Sequence, residues 1–227
     1  ICFIFQKFTK PIFFGIMKLN NFLESDVIKM DSQEINKFIK ENVDKIYDEM
    51  VKIRRTIHMN PELGDEEFKT SKLIKEFLAK NNIEFFEIIN TGVVATIYND
   101  DEKNGKNHTV ATRADIDALP IFEENDVEYK SKNLGKMHAC GHDTHTTIQL
   151  GVAKVLAENK DKWNGTVRFF FQPAEETDGG ADRMIKGGAL KFEKRSAGNS
   201  DFEDKEKATN TLWVCFYSSE GAKKRLR

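Results

Sequence analysis

From Ser32 onward, apolar residues recur at helical spacing. Ile35, Phe38, Ile39, Ile46, Met50, Ile53 and Ile57 share a side with polar residues between them, which predicts a long amphipathic helix with Ser32 as its N-cap. Asn60-Pro61 should end it, because the residue ahead of a proline is pushed out of the α region. Phe68, Leu73, Ile74, Phe77 and Leu78 predict a second helix that stops at the Asn81-Asn82 turn. The period then changes. Phe85 to Ile89, Val93 to Tyr98 and Thr109 to Thr112 read as strands, with the polar run NDDEKNGKN from Asn99 to Asn107 as a hairpin-type loop. A helix over Thr144 to Glu158 and a turn at Trp163-Asn164-Gly165 follow. Thr166 to Phe171 (TVRFFF) is a near-continuous apolar strand suited to a buried sheet. A short helix from Ala181 to Lys186 closes at Gly187-Gly188. Helices alternating with buried strands predict an α/β domain of three layers.

The two ends break this pattern. ICFIFQKFTKPIFFGIM is apolar and aromatic, but Lys7, Lys10 and Pro11 lie inside the run and no small-residue cleavage site follows. An export signal needs the opposite arrangement, so residues 1–31 read as a non-native leader ahead of a start at Met17 or Met30. After Leu190 the chain turns charged and aperiodic, with one apolar run in TLWVCFYSSEGAKKRLR. Residues 191–227 therefore read as a disordered tail or as sequence foreign to the fold. That leaves 32–190 as the expected domain.

Composition narrows the function classes. Lys and Arg number 35 against 37 Asp and Glu, a net charge of 35 − 37 = −2. Such a balance carries no electrostatic footprint for nucleic acid or an anionic membrane. No run of about 18 apolar residues appears, which excludes a membrane-spanning helix. Cys2, Cys140 and Cys215 are too few and too scattered for a disulfide framework. An odd count points to a reducing compartment, hence a cytoplasmic protein.

Ligand-type residues gather at three places: RADIDALP from Arg113 to Pro120, MHACGHDTH from Met137 to His145, and QPAEE from Gln172 to Glu176. Two of them directly follow predicted strands, the edge of an open α/β sheet where ligands bind. Three of the five histidines fall between positions 138 and 145. Thiolate and imidazole suit zinc and similar divalent ions, so Cys140 and His142 read as ligands that need a further donor. Glu175 and Glu176 can supply it, since adjacent carboxylates on a turning loop diverge, one to a metal and one to a water as general base. Each cluster alone also has a plainer reading. Cys140 can be a buried small hydrophobe or a nucleophile paired with a histidine. Asp115 and Asp117 can cap a turn, and Glu175-Glu176 can be a solvated pair. The coincidence of all three at strand ends favours a metal site.

MHACGHD, RADIDALP, GTVRFFFQPAEE and GGADRMIKGGAL together resemble the M20 metallopeptidase family, within it the amidohydrolase branch of N-acyl-amino-acid, hippurate and indole-acetyl-amino-acid hydrolases. IRRTIHMNPELGDEEFKTS, from Ile53 to Ser71, is similar to that branch's opening helix and turn. The resemblance runs from about Ser32 to Leu190. It implies the N-terminal part of a three-layer αβα zinc-peptidase-like catalytic domain, without the inserted dimerisation domain.

On that resemblance Cys140 is a metal-bridging ligand, His142 and Glu176 are metal ligands, Glu175 is the general acid/base, and Asp117 holds the site from behind. His138, His145 and Asp115 carry no assigned role beyond packing or hydrogen bonding. The implied cofactor is a divalent metal, zinc or manganese, with two ions per complete site. The implied reaction is hydrolysis of an N-acyl amino acid or dipeptide-like substrate, with a homodimer in a full-length form only. The family also uses two later histidines, and none follows His145 here. The alternative is a truncated, inactive fragment with weak metal binding.

Overall fold

The computed structural model of the chain describes residues 30–99 and 109–191, together with the backbone of 211–215. Helix α1 (Ser32–Met59) is capped one residue earlier than predicted. Asp31 Oδ1 accepts from the backbone N–H groups of Gln33 and Glu34, while Glu34 accepts from the N–H of Asp31. This reciprocal box needs an acidic partner three residues on. From Ser32 that position is Ile35, so Asp31 takes the cap. The helix ends ahead of Asn60-Pro61 as predicted, and α2 (Phe68–Lys80) follows.

Strands β1 (Glu84–Ile88), β2 (Gly92–Asn99) and β3 (Thr109–Asp115) come next, then helix α3 (His142–Glu158), strand β4 (Gly165–Gln172), helix α4 (Gly180–Lys186) and strand β5 (Thr211–Cys215). The described strands form one sheet in the order β1-β2-β4-β3-β5. β1 and β4 both run antiparallel to β2, whereas β4 and β5 run parallel to β3. The expected hairpin between β2 and β3 is therefore replaced by insertion of β4 between them. Its loop, 100–108, lies outside the described residues. β4 is buried along its whole length, and an apolar strand of that kind belongs in the middle of a sheet.

Alternation along β4 builds the layers. Phe169 and Phe171 face a core shared with Met50 of α1, Ile74 and Leu78 of α2 and Leu150 of α3. Phe170 faces the other way, joining Ile88, Val94, Ala111 and Met184 under α4. Successive strand side chains point to opposite faces, so this stretch needs helices on both sides. The fold is the predicted three-layer α/β/α arrangement. No helix among the described residues is long and apolar enough to cross a membrane.

Two features position the site. Asp115 and Gln172 are register partners at the carboxyl ends of β3 and β4, and Ile116 N–H donates to Gln172 O at 3.0 Å. The RADID and QPAEE segments thus leave the sheet side by side. A long irregular stretch then returns through a bridge between Leu119 and Met137, which delivers Cys140 and His142 to the same edge. β5 lies inside the stretch from Lys191 that the sequence placed outside the fold. Its residues TLWVC are the one apolar run noted there, with the β-branched and aromatic content that suits a strand. Of the predicted leader, residues 1–29 lie outside the described residues, while Asp31 caps α1.

Candidate metal centre

His142 is wholly buried at the first position of α3. Gly141 precedes it with φ +100°, a left-handed conformation that glycine adopts without cost and that turns Cys140 and His142 out of the incoming loop. The ring is oriented from behind by Asp117. His142 Nδ1 lies 2.9 Å from the backbone carbonyl of Asp117 and 3.1 Å from its Oδ1. Both neighbours are acceptors, so Nδ1 carries the proton and donates. That leaves the lone pair on Nε2, which is buried and has no hydrogen-bond partner. A histidine whose far nitrogen is fixed by a carboxylate and whose near nitrogen is free is poised to ligate a metal.

The other oxygen of Asp117 accepts from the backbone N–H of Glu176 at 2.9 Å. One buried carboxylate therefore ties His142 to the QPAEE turn. One ligand atom from each of Cys140, His142 and Glu176 lies within 4.8 Å of the others, and His142 Nε2 is 3.9 Å from Glu176 Oε1. Thiolate, imidazole and carboxylate converging on an orphaned buried nitrogen fit a borderline-soft divalent ion.

The electrostatics follow from the same contacts. Burial opposes a charged His142 ring, but its hydrogen bond to Asp117, together with Cys140 and the charge of Asp115, outweighs this and pushes the pKa up to about 11. At neutral pH the ring thus takes a second proton on Nε2, and a metal ion binds there by displacing it. Burial also opposes the charge of Asp117, yet the bonds from His142 and Glu176 hold its carboxyl below the usual range. Glu175 is half-buried. Burial raises its pKa first, and the nearby charges of Asp115 and Glu176 add to the shift. A carboxylate with raised proton affinity beside Glu176 is suited to take and return a proton.

Cys140, His142, Glu175, Glu176 and Asp117 thus meet at one sheet edge. Asp115 joins them, with Oδ2 held by Arg113 at 2.9 Å and Oδ1 buried without a partner. His145, one turn along α3, has its ring centroid 5.4 Å from that of His142, and a second group within 4.8 Å comprises Asp115, His142 and His145. Burial pushes His145 and His138 down to about 4, leaving both neutral. His138 belongs to neither group. It is buried toward His58, with ring centroids 6.4 Å apart.

Sequence reasoning missed two supports. Glu67, wholly buried, accepts from Ala174 N–H at 2.9 Å and from the Thr91 hydroxyl at 2.7 Å. His58 bridges Asp143 Oδ2 at 2.7 Å and Glu123 Oε1 at 3.1 Å. Both lie in the stretch from Ile53 to Ser71, whose charged residues carry no periodic signal. A Pro-Gly turn that contains Glu62 and Glu67 on either side of Gly64 was the available clue.

Comparison with known proteins supplies the remaining frame. Residues 111–210 match the family described as peptidase family M20/M25/M40. Thermostable carboxypeptidase 2 of Saccharolobus solfataricus is 51% identical over 156 residues, which are 67% of this chain and 39% of the relative. The IAA-amino acid hydrolase ILR1-like 2 of Arabidopsis thaliana is 48% identical over 171 residues, 74% of this chain and 38% of the relative. Among solved structures, the Bacillus subtilis YXEP protein, a dinuclear metal binding peptidase from the M20 family, superposes with a TM-score of 0.60 at 40% identity. The match covers 65% of this chain and 40% of that one. The chain spans about two fifths of the length of these relatives.

Proposed function

Since the chain belongs to peptidase family M20/M25/M40, we propose that it carries the metal-binding and proton-transfer machinery of a hydrolase acting on the amide bond of N-acyl amino acids. The observation that carries this reading is His142, whose Nδ1 is fixed by Asp117 while its buried Nε2 has no partner beside Cys140 and Glu176. The substrate class is supported by the relatives, which include an IAA-amino acid hydrolase and a carboxypeptidase. Both names describe cleavage next to an amino acid.

Cys140, His142 and Glu176 would hold the divalent ion, zinc or manganese. When bound, a divalent ion supplies a polarised carbonyl and a water acidic enough to lose a proton near neutral pH. Glu175 takes the proton of the attacking water and hands it to the departing amide nitrogen. Its partial burial and the charges of Asp115 and Glu176 favour the proton on that carboxylate. Asp117 keeps the His142 ring and the Glu176 backbone in place throughout.

The test is to purify the chain, measure bound zinc and manganese by mass spectrometry, and assay N-acyl-amino-acid hydrolysis beside Glu175→Gln. The variant should keep its metal and lose about 10²–10⁴-fold in rate, the usual weight of a general base. Hydrolysis that survives Glu175→Gln undiminished overturns the role of Glu175. Bound zinc without turnover would leave a metal-binding module and defeat the hydrolase reading.

A further inference from the structure

We propose that His58 is a positioning residue for His142, and that the end of α1 is the template on which the segment from Asp117 to Asp143 is laid. The consequence for metal binding rests on the reading of His142 as a ligand; the positioning of its ring does not.

Between the end of β3 and the start of α3 the chain forms neither helix nor strand. Its two arms meet at Leu119 and Met137, each donating its N–H to the other's carbonyl at 3.0 Å. Residues 59–62 fix the joined arms to the rest of the molecule. Ala118 N–H, next to Asp117, donates to Glu62 O at 2.8 Å, and Lys132 N–H donates to Met59 O at 2.9 Å. The side-chain amide of Asn133 donates to Pro61 O at 2.8 Å. These carbonyls are open because α1 has ended, and the last carbonyls of a helix have no partner within it.

His58 adds the side-chain link. Its Nδ1 donates to Asp143 Oδ2 at 2.7 Å, in the first turn of α3 beside His142. Its Nε2 donates to Glu123 Oε1 at 3.1 Å, and Glu123 Oε2 accepts from Ser131 N–H at 2.6 Å. One ring thus spans from the start of α3 to the loop between the two arms. The carboxylate side chains of Asp143 and Glu123 are 0% and 1% exposed. An acceptor that lost the ring would stay buried and unmatched unless the first turn of α3 or the loop moved to relieve it. Arg54 also reaches Asp143 at 2.8 Å, but the ring is the group that Asp143 and Glu123 share. His142 lies in the turn that would move.

The experiment compares His58→Leu, His58→Gln and Glu123→Ala with wild type, each first shown to fold by circular dichroism. Leu fills the space without a donor, whereas the Gln amide can still bridge the two carboxylates. Glu123→Ala cuts one end of the bridge and leaves Asp143 paired, so it serves even where His58→Leu does not fold. Nuclear magnetic resonance follows solvent exchange of the His142 Nδ1 proton in the metal-free chain, with the signal identified by its absence in His142→Gln. Zinc affinity is measured beside it by competition with a chelator. In His58→Leu and Glu123→Ala the exchange should quicken and zinc affinity should fall about tenfold or more. His58→Gln should recover most of both. Ile74→Val, which loosens the core under α2, should change neither and so separates positioning from overall stability. A His142 proton that exchanges freely in wild type, one unaffected in both His58→Leu and Glu123→Ala, or one equally quickened in Ile74→Val overturns the proposal. The expected exchange pattern in a chain that binds no zinc upholds the positioning of the ring and sinks the metal reading instead.

Discussion

Glu67 Oε1 accepts a 2.9 Å hydrogen bond from the backbone N–H of Ala174, across 107 residues of sequence. Ala174 has φ +53°, a left-handed conformation costing about 1–3 kcal/mol for a residue with a side chain. It is the residue that aims Glu175. Glu67 therefore pins the strained turn ahead of the proposed base, and its second oxygen accepts from Thr91 at 2.7 Å. Replacing Glu67 by Ala strands two buried donors, at about 1–3 kcal/mol each. Urea unfolding of Glu67→Ala should show a loss of about 2–4 kcal/mol, and Glu67→Gln, which keeps one acceptor, a smaller one. An Ala variant as stable as wild type would remove Glu67 from this role.

Asp117 serves the metal centre through two bonds, one from the His142 ring and one from the Glu176 backbone. Asp117→Ala releases both proposed ligands from their orientation while removing neither. Zinc affinity, measured by competition with a chromophoric chelator, should fall about 10–100-fold. Glu175→Gln should leave the same affinity unchanged, since Glu175 is not among the converging donors. Equal affinities for wild type and Asp117→Ala would mean that the ion does not use His142.

The parts of this site that could be read from sequence are those whose partners lie in the same short motif or at the ends of neighbouring strands. Asp115 and Gln172 terminate two apolar runs, and sheet register alone makes them neighbours. Cys140 and His142 are two residues apart. By contrast, Glu67 meets Ala174 and His58 meets Asp143, 107 and 85 residues away. A glutamate in a turn and a histidine near a helix end look solvated until tertiary packing buries them. Strand order was hidden for a similar reason. The polar run after β2 marks a loop without naming a partner, and it is the burial of β4 that places it between β2 and β3.

The aromatic run in β4 predicts a sharp contrast in stability. Phe169 is wholly buried in the core under α1, α2 and α3, while Phe122 is 66% exposed. Phe169→Ala leaves a cavity as well as losing apolar contact and should cost about 3–5 kcal/mol. Phe122→Ala should change stability by no more than about 0.5 kcal/mol. Chemical denaturation of the two variants side by side checks both. Comparable losses would contradict the layer assignment.

His58 makes the fold's stability depend on pH. The ring is 4% exposed, and both nitrogens face carboxylate oxygens, Asp143 at 2.7 Å and Glu123 at 3.1 Å. Arg54 also reaches Asp143 at 2.8 Å, and the rings of Tyr129 and His138 lie alongside. Burial pushes the His58 pKa down, but the hydrogen bonds to Asp143 and Glu123 outweigh it, and the net movement is above 6.5. The folded state therefore binds the His58 proton more tightly than the unfolded state does. The stabilisation this supplies is fully present below the unfolded value of 6.5 and fades as pH rises through the folded value. His58→Gln can still bridge the two carboxylates with neither charge nor a second ring donor. Its deficit relative to wild type in urea unfolding should be largest near about pH 6 and shrink by about pH 9. A deficit that grows with pH would mean that His58 is neutral in the folded protein, and that Arg54 alone balances Asp143.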